Sequence, residues 1–104
     1  MKFRIIPRLE VKNNFLIKGM RMEGFKKVGS PIKFAKKYSD NNFHEIFFED
    51  VVASLYDRKI DIDLVRQVSN NINIPLTVAG GVNSINDIEI LFKNGADKVC
   101  INSA

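Results

Sequence analysis

Strand-like and helix-like stretches alternate along the 104 residues in the order strand, loop, helix, strand, helix, strand, helix, strand. Recurrence at about the length of one βα unit predicts an α/β fold on a parallel sheet with right-handed crossovers. Polar or glycine residues end all four strands: Glu10 and Lys12, Asp50, Gly80 and Gly81, Asn102 and Ser103. The first strand is not followed by the G-x-G-x-x-G turn of a doubly wound dinucleotide fold. Polar strand ends gathered on one face are instead the pattern of a (βα)₈ TIM barrel. Residues 1–104 are expected to be the N-terminal part of one such domain, with its first four strands and three helices.

The first strand is expected over Phe3–Val11, strained or ending near Pro7, because proline removes a ladder hydrogen bond. Residues Asn13 to Gly29, with Gly19, Gly24 and Gly29, are expected to be a long connector, and such loops are usually functional or mobile. Ser30 as N-cap and Pro31 at the first helical position open a helix with Ile32, Phe34, Ala35 and Tyr38 inward, ended by Asn41-Asn42. The second strand spans Phe43–Val52, and a loop, 53–58, leads to a helix from Ile60 to Asn70 whose apolar face is Ile62, Leu64, Val65 and Val68.

The third strand is the apolar run Ile74–Ala79, which ends in Gly80-Gly81. Paired glycines let a backbone approach a ligand closely, and a helix start behind them favours an anion such as phosphate. A plain βα turn using glycine for its φ angles accounts for the same residues. The following helix, from Ile85 to Asn94, points Ile88, Leu91 and Phe92 inward and closes on Gly95. The fourth strand is Lys98–Ile101.

An apolar fraction of 45% and a charged fraction of 27% are those of an ordinary globular protein. No apolar run approaches the roughly 20 residues of a membrane span, and the charged start is no export signal, so a cytoplasmic chain is expected. The single Cys100 cannot form an internal disulfide. With His44 the sole histidine, neither a His-based metal site nor a Ser-His triad is expected within this chain, and neither cofactor nor metal is indicated. The net charge of +4 sits on solvated helix lysines without the interleaved aromatics of a nucleic-acid platform.

Taken together, Arg4-Ile5-Ile6-Pro7, Val11-Lys12, Ile17-Lys18-Gly19, Asp50 with Val51-Val52-Ala53-Ser54, Thr77-Val78-Ala79-Gly80-Gly81 and Gly95 to Ala104 carry a resemblance. From Arg4 to Ala104 the chain resembles the cyclase subunit family of imidazole glycerol phosphate synthase, a (βα)₈ lyase of histidine biosynthesis. The resemblance implies that ammonia from a glutaminase subunit passes up the barrel to a bisphosphorylated ribulosyl imidazole-carboxamide. It implies that Lys18, Gly80, Gly81, Asn102 and Ser103 hold substrate phosphate, and that Asp50 lines the pocket, with capping of its own loop as the alternative for an Asp. It implies an ammonia gate of Arg4, Glu45 and Lys98 at the opposite end, with Asp97 facing the partner.

Two departures stand out. The family's catalytic aspartate lies in Pro-Cys-Leu-Asp, where this chain reads Pro7-Arg8-Leu9-Glu10, so Glu10 is the expected acid/base one methylene further out. Arg8 and Met20-Arg21-Met22-Glu23-Gly24 resemble paralogues thought to deliver ammonia to a surface-polysaccharide sugar, the alternative reading. The second departure is length: the later strands would carry the other catalytic aspartate and second phosphate site, so these 104 residues alone are expected to be inactive. A truncated, self-associating phosphate-binding fragment is the non-catalytic alternative.

Overall fold

A computed structural model describes residues 3–12, 15–20, 24–51, 53 and 59–101, with 15–20 and 24–29 described as backbone. Among these, six strands form one sheet in the order β3-β2-β1-β4-β5-β6. The strands are β1 (Arg8–Lys12), β2 (Phe15–Met20), β3 (Gly24–Gly29), β4 (Ile46–Asp50), β5 (Leu76–Ala79) and β6 (Lys98–Cys100). Helix α1 (Pro31–Asp40) precedes β4, α2 (Ile62–Asn70) precedes β5, and α3 (Ile85–Lys93) precedes β6. Strands β1, β4, β5 and β6 are mutually parallel, which is the α/β alternation expected and is consistent with the first part of a (βα)₈ barrel.

Within the stretch expected to be a connector, Phe15–Met20 and Gly24–Gly29 are instead strands paired with each other. Strand β2 pairs antiparallel with β1 through Val11↔Leu16 and Lys12↔Phe15, and β3 pairs antiparallel with β2 from Met20↔Gly24 to Leu16↔Gly29. Glycines depress strand propensity and mask alternation, so Gly19, Gly24 and Gly29 read as loop, yet the edge of β1 supplies the partner that propensity alone cannot. Residues 21–23 of the divergent Met20–Gly24 stretch lie outside the described residues.

The first strand also starts later than expected, at Arg8. The Ile5 and Pro7 carbonyls still accept from the His44 and Phe47 N–H groups at 3.0 and 2.9 Å, but Pro7 has no N–H to return. Of the stretch read as loop, Ala53 is described and is helical, while 54–58 lie outside the described residues.

Alternation splits β1 and β4 between two faces. Leu9, Val11, Ile46, Phe48, Leu76 and Val78 form one side of the core, against Ala35 of α1, Leu64, Val65 and Val68 of α2, and Leu91 of α3. Each such large side chain contributes about 1.5–3 kcal/mol of burial. Ile32, Phe34, Tyr38, Ile62 and Ile88 pack at the margin. Phe92, expected inward, is exposed: Leu91 takes the core, and the next residue lies about 100° further round the helix.

Local capping chemistry sets the helix ends. The Asp61 carboxylate accepts from the Leu64 N–H at 3.1 Å, and the Ser84 hydroxyl from the Asp87 N–H at 3.1 Å. Ser30 occupies the N-cap position of α1 but makes no side-chain cap, leaving Pro31 to start that helix. Gly95 follows α3 at φ +109°, and Ala96 N–H closes on the Leu91 carbonyl at 3.1 Å.

Candidate functional site

The parallel strands present two ends and, opposite the helices, a polar face. At the C-terminal end, Gly80 and Gly81 both have positive φ, at +103° and +66°. A Cβ on Gly80 would lie 2.6 Å from the Asp50 carbonyl oxygen, so this glycine lets the ends of β4 and β5 meet. Gly81 borders a cleft of about 320 Å³ between α2 and α3, where Lys59 pairs with Asp87 at 2.9 Å. That Lys59 hydrogen bond, followed by the Asn83 backbone N–H, holds the Asp87 carboxyl below its ordinary range. Asp50 accepts from the Ala53 N–H at 2.9 Å, the capping contact open to it from the sequence. Asn102 and Ser103 lie outside the described residues. Lys18 lies in β2, paired with Lys26 of β3.

The face away from the helices carries Arg8 and Glu10 from β1 and Phe47 and Glu49 from β4. The register sets Glu10 beside Glu49 and Arg8 beside Phe47. Arg8 donates through Nη2 to Glu49, its Nε lies 3.5 Å from Glu10, and its guanidinium sits 5.3 Å from the Phe47 ring centroid. The hydrogen bond to Glu49 pushes the Arg8 pKa up further, so this arginine stays charged. Sequence reasoning identified Glu10 and Arg8 but not Glu49 as their partner. The signal was the period of two in Arg-Leu-Glu-Val-Lys and in Phe-Phe-Glu.

At the N-terminal end the three residues read together from the sequence do converge. Glu45 is buried, its side chain 6% exposed, and its Oε1 receives Arg4 at 2.7 Å and Lys98 at 3.4 Å. Its Oε2 accepts from the Thr77 hydroxyl at 3.1 Å, a fourth member that sequence reasoning missed because a strand threonine reads as ordinary propensity. Arg4 and Lys98 are each 58% exposed, so their charged heads stay hydrated while sealing the carboxylate. His44 holds the arm that carries Arg4: its Nδ1 accepts from the Ile5 N–H at 2.7 Å.

Asp97 does a local job beside this cluster. Its Oδ2 accepts from the Leu76 N–H at 2.8 Å while its own N–H donates to the Leu76 carbonyl at 2.8 Å, tying the start of β6 to that of β5. Among the described residues, no group of three His, Cys, Asp or Glu side chains could hold a metal ion. No helix among them is long and apolar enough to cross a membrane.

Chemically, the arrangement offers a backbone turn able to receive an anion, a carboxylate on an open polar face, and a sealed ion cluster at the far end. The family described as "Histidine biosynthesis protein" matches residues 4–104. The chain is 52% identical over 101 residues to imidazole glycerol phosphate synthase subunit HisF of Flavobacterium psychrophilum, covering 97% of this chain and 40% of that protein. It is 45% identical to the same-named subunit of Lactococcus lactis subsp. cremoris (97% and 39%) and 40% identical to that of Thermococcus onnurineus (97% and 40%). The chain thus spans about two-fifths of the length of these relatives.

Proposed function

The chain belongs to the histidine biosynthesis protein family, and on that premise we propose that it is the N-terminal part of a (βα)₈-barrel cyclase. Residues 1–104 would form part of a single barrel domain. The whole protein, a cytoplasmic lyase, would combine ammonia with a bisphosphorylated ribulosyl imidazole-carboxamide, forming imidazole glycerol phosphate and releasing an aminoimidazole carboxamide ribotide. The observation that carries this reading is the buried Glu45 carboxylate, holding Arg4 and Lys98 at the strand end opposite the Gly80-Gly81 turn.

In this mechanism each end has its own task. Gly80 and Gly81, with Asn102, Ser103 and Lys18, hold one substrate phosphate, the main-chain N–H groups supplying donors that need no side-chain ordering. Asp50 lines the pocket while capping Ala53. Glu10, on the open polar face, takes and returns protons as ammonia nitrogen adds to the ribulosyl carbonyl and water leaves. The Arg4–Glu45–Lys98 cluster is the gate: ammonia enters when the exposed cations swing off the buried carboxylate. A glutaminase subunit docks on that side, with Asp97 at the contact, and supplies the ammonia; the relatives' designation as a subunit supports a partner.

The test is turnover by the full-length protein. With the bisphosphorylated ribotide and ammonium salt, imidazole glycerol phosphate should form, and adding the glutaminase subunit should let glutamine replace ammonium. No product under either regime would sink the reading. The names of the relatives favour this acceptor over a polysaccharide sugar. The first departure, Glu10 with Arg8, makes Glu10→Asp a useful companion variant: activity appearing only in that variant would point to a different acceptor. The 104-residue piece alone should be inactive.

A further inference from the structure

We propose that Arg8 is a positioning residue that holds Glu10 by tying it to Glu49 in an ion layer seated on Phe47. This rests on the reading of Glu10 as the proton-transferring carboxylate.

The register places Glu10 and Glu49 side by side on neighbouring strands, on the same face. Like charges directly across a strand pair repel. Arg8, two residues before Glu10 and on its face, is placed to offset that repulsion, and its guanidinium lies within reach of both carboxylates. A planar fork can serve two carboxylates at fixed angles while lying on an aromatic ring, which a lysine ammonium cannot.

Burial is graded to suit the task. The Glu49 side chain is 17% exposed and acts as the anchor, whereas Glu10 is 37% exposed and stays open to substrate. Phe47 lies under the guanidinium and limits its swing. Glutamate has one more rotatable bond than aspartate, so a carboxylate at position 10 needs such restraint, and a misplacement of about an ångström can lower turnover by about 10²-fold. Lys12 follows on the same face of β1.

The experiment compares Arg8→Met, Arg8→Lys, Glu49→Gln, Glu10→Gln and the double variant Arg8→Met/Glu10→Gln in full-length protein. Each is followed by ammonium-driven turnover of the bisphosphorylated ribotide. Arg8→Met and Glu49→Gln should lower kcat by about 10- to 100-fold with little change in KM. Arg8→Lys, which keeps charge and fold, should fail to restore kcat. In the Glu10→Gln background, Arg8→Met should cause no further loss, since it acts through Glu10.

An unchanged kcat in Arg8→Met, full rescue by lysine, or an undiminished effect in the Glu10→Gln background would overturn the proposal. A second readout separates this from failure of the reaction itself. In arginine-¹⁵N-labelled protein, the Arg8 Nη–H signal should be protected from exchange and lose protection in Glu49→Gln. Protection with no turnover by wild type overturns the reaction and leaves the ion layer standing. An Arg8 signal indifferent to Glu49→Gln overturns the ion layer.

Discussion

The two ends of the parallel strands solve different problems with different materials. At the N-terminal end the work is done by side chains: Arg4, Lys98 and Thr77 converge on the buried Glu45. At the C-terminal end it is done by main chain: Gly80 and Gly81 in positive φ, and Asp50 contributing its carbonyl as a wall and its carboxylate as a cap. A buried carboxylate is stable only while its partners stay, whereas a glycine turn is stable only while nothing is added. In the proposed function, the first end opens and closes and the second holds a ligand without rearrangement.

That contrast can be broken by substitution. The largest loss is expected at the backbone end. Gly80→Ala forces a Cβ against the Asp50 carbonyl at a left-handed φ and should cost about 3 kcal/mol or more. Gly81→Ala, at φ +66°, should cost only about 1–2 kcal/mol. Urea unfolding of the full-length protein checks both, and equal losses would remove the special packing assigned to Gly80.

Next comes the side-chain end. Glu45→Gln keeps the shape but weakens the pairs to Arg4 and Lys98, and should lower stability by about 1–3 kcal/mol. The exposed cations can rehydrate, which keeps the loss below that of a fully buried ion pair. In the same variant, glutamine-driven turnover should fall more than ammonium-driven turnover; equal falls would count against the gate. His44→Phe removes the acceptor for the Ile5 N–H and should cost about 1 kcal/mol. Amide exchange should quicken at Ile5 and leave the β5 amides unchanged.

The smallest effect is a pH limb at the cleft beside Gly81. Asp87 has a lowered pKa in the folded state, chiefly through its hydrogen bond from Lys59. Its contribution is therefore full above the unfolded carboxyl pKa and is lost as pH falls through the lower folded value. Acid unfolding of Asp87→Asn should lack that part of the limb, and an unchanged curve would remove Asp87 from the account.

Helix α3 is legible in the amino-acid sequence because its signals are local. Ser84 at its start, Leu91 in its apolar stripe and Gly95 beyond its end all act within a few residues of chain. The same holds for the start of α1 at Pro31 and for the α/β alternation itself. Strand partnership is not local. The 13–29 stretch reads as a glycine-rich connector, and it is the free edge of β1 that gives β2 hydrogen bonds to complete.

The candidate site divides in the same way. Arg4, Glu45 and Lys98 could be named from the residues, but their convergence on one carboxylate, with Thr77 as a fourth member, depends on β4, β5 and β6 lying in register. Glu10 could be named too, whereas its link through Arg8 to Glu49 exists only because β1 and β4 are neighbours. Which helices form, and which residue types stand at the ends of the elements, is written in the chain, since capping, periodicity and turn chemistry act over a few bonds. Which charges meet is settled only by the fold, because pairing across strands joins residues some forty positions apart.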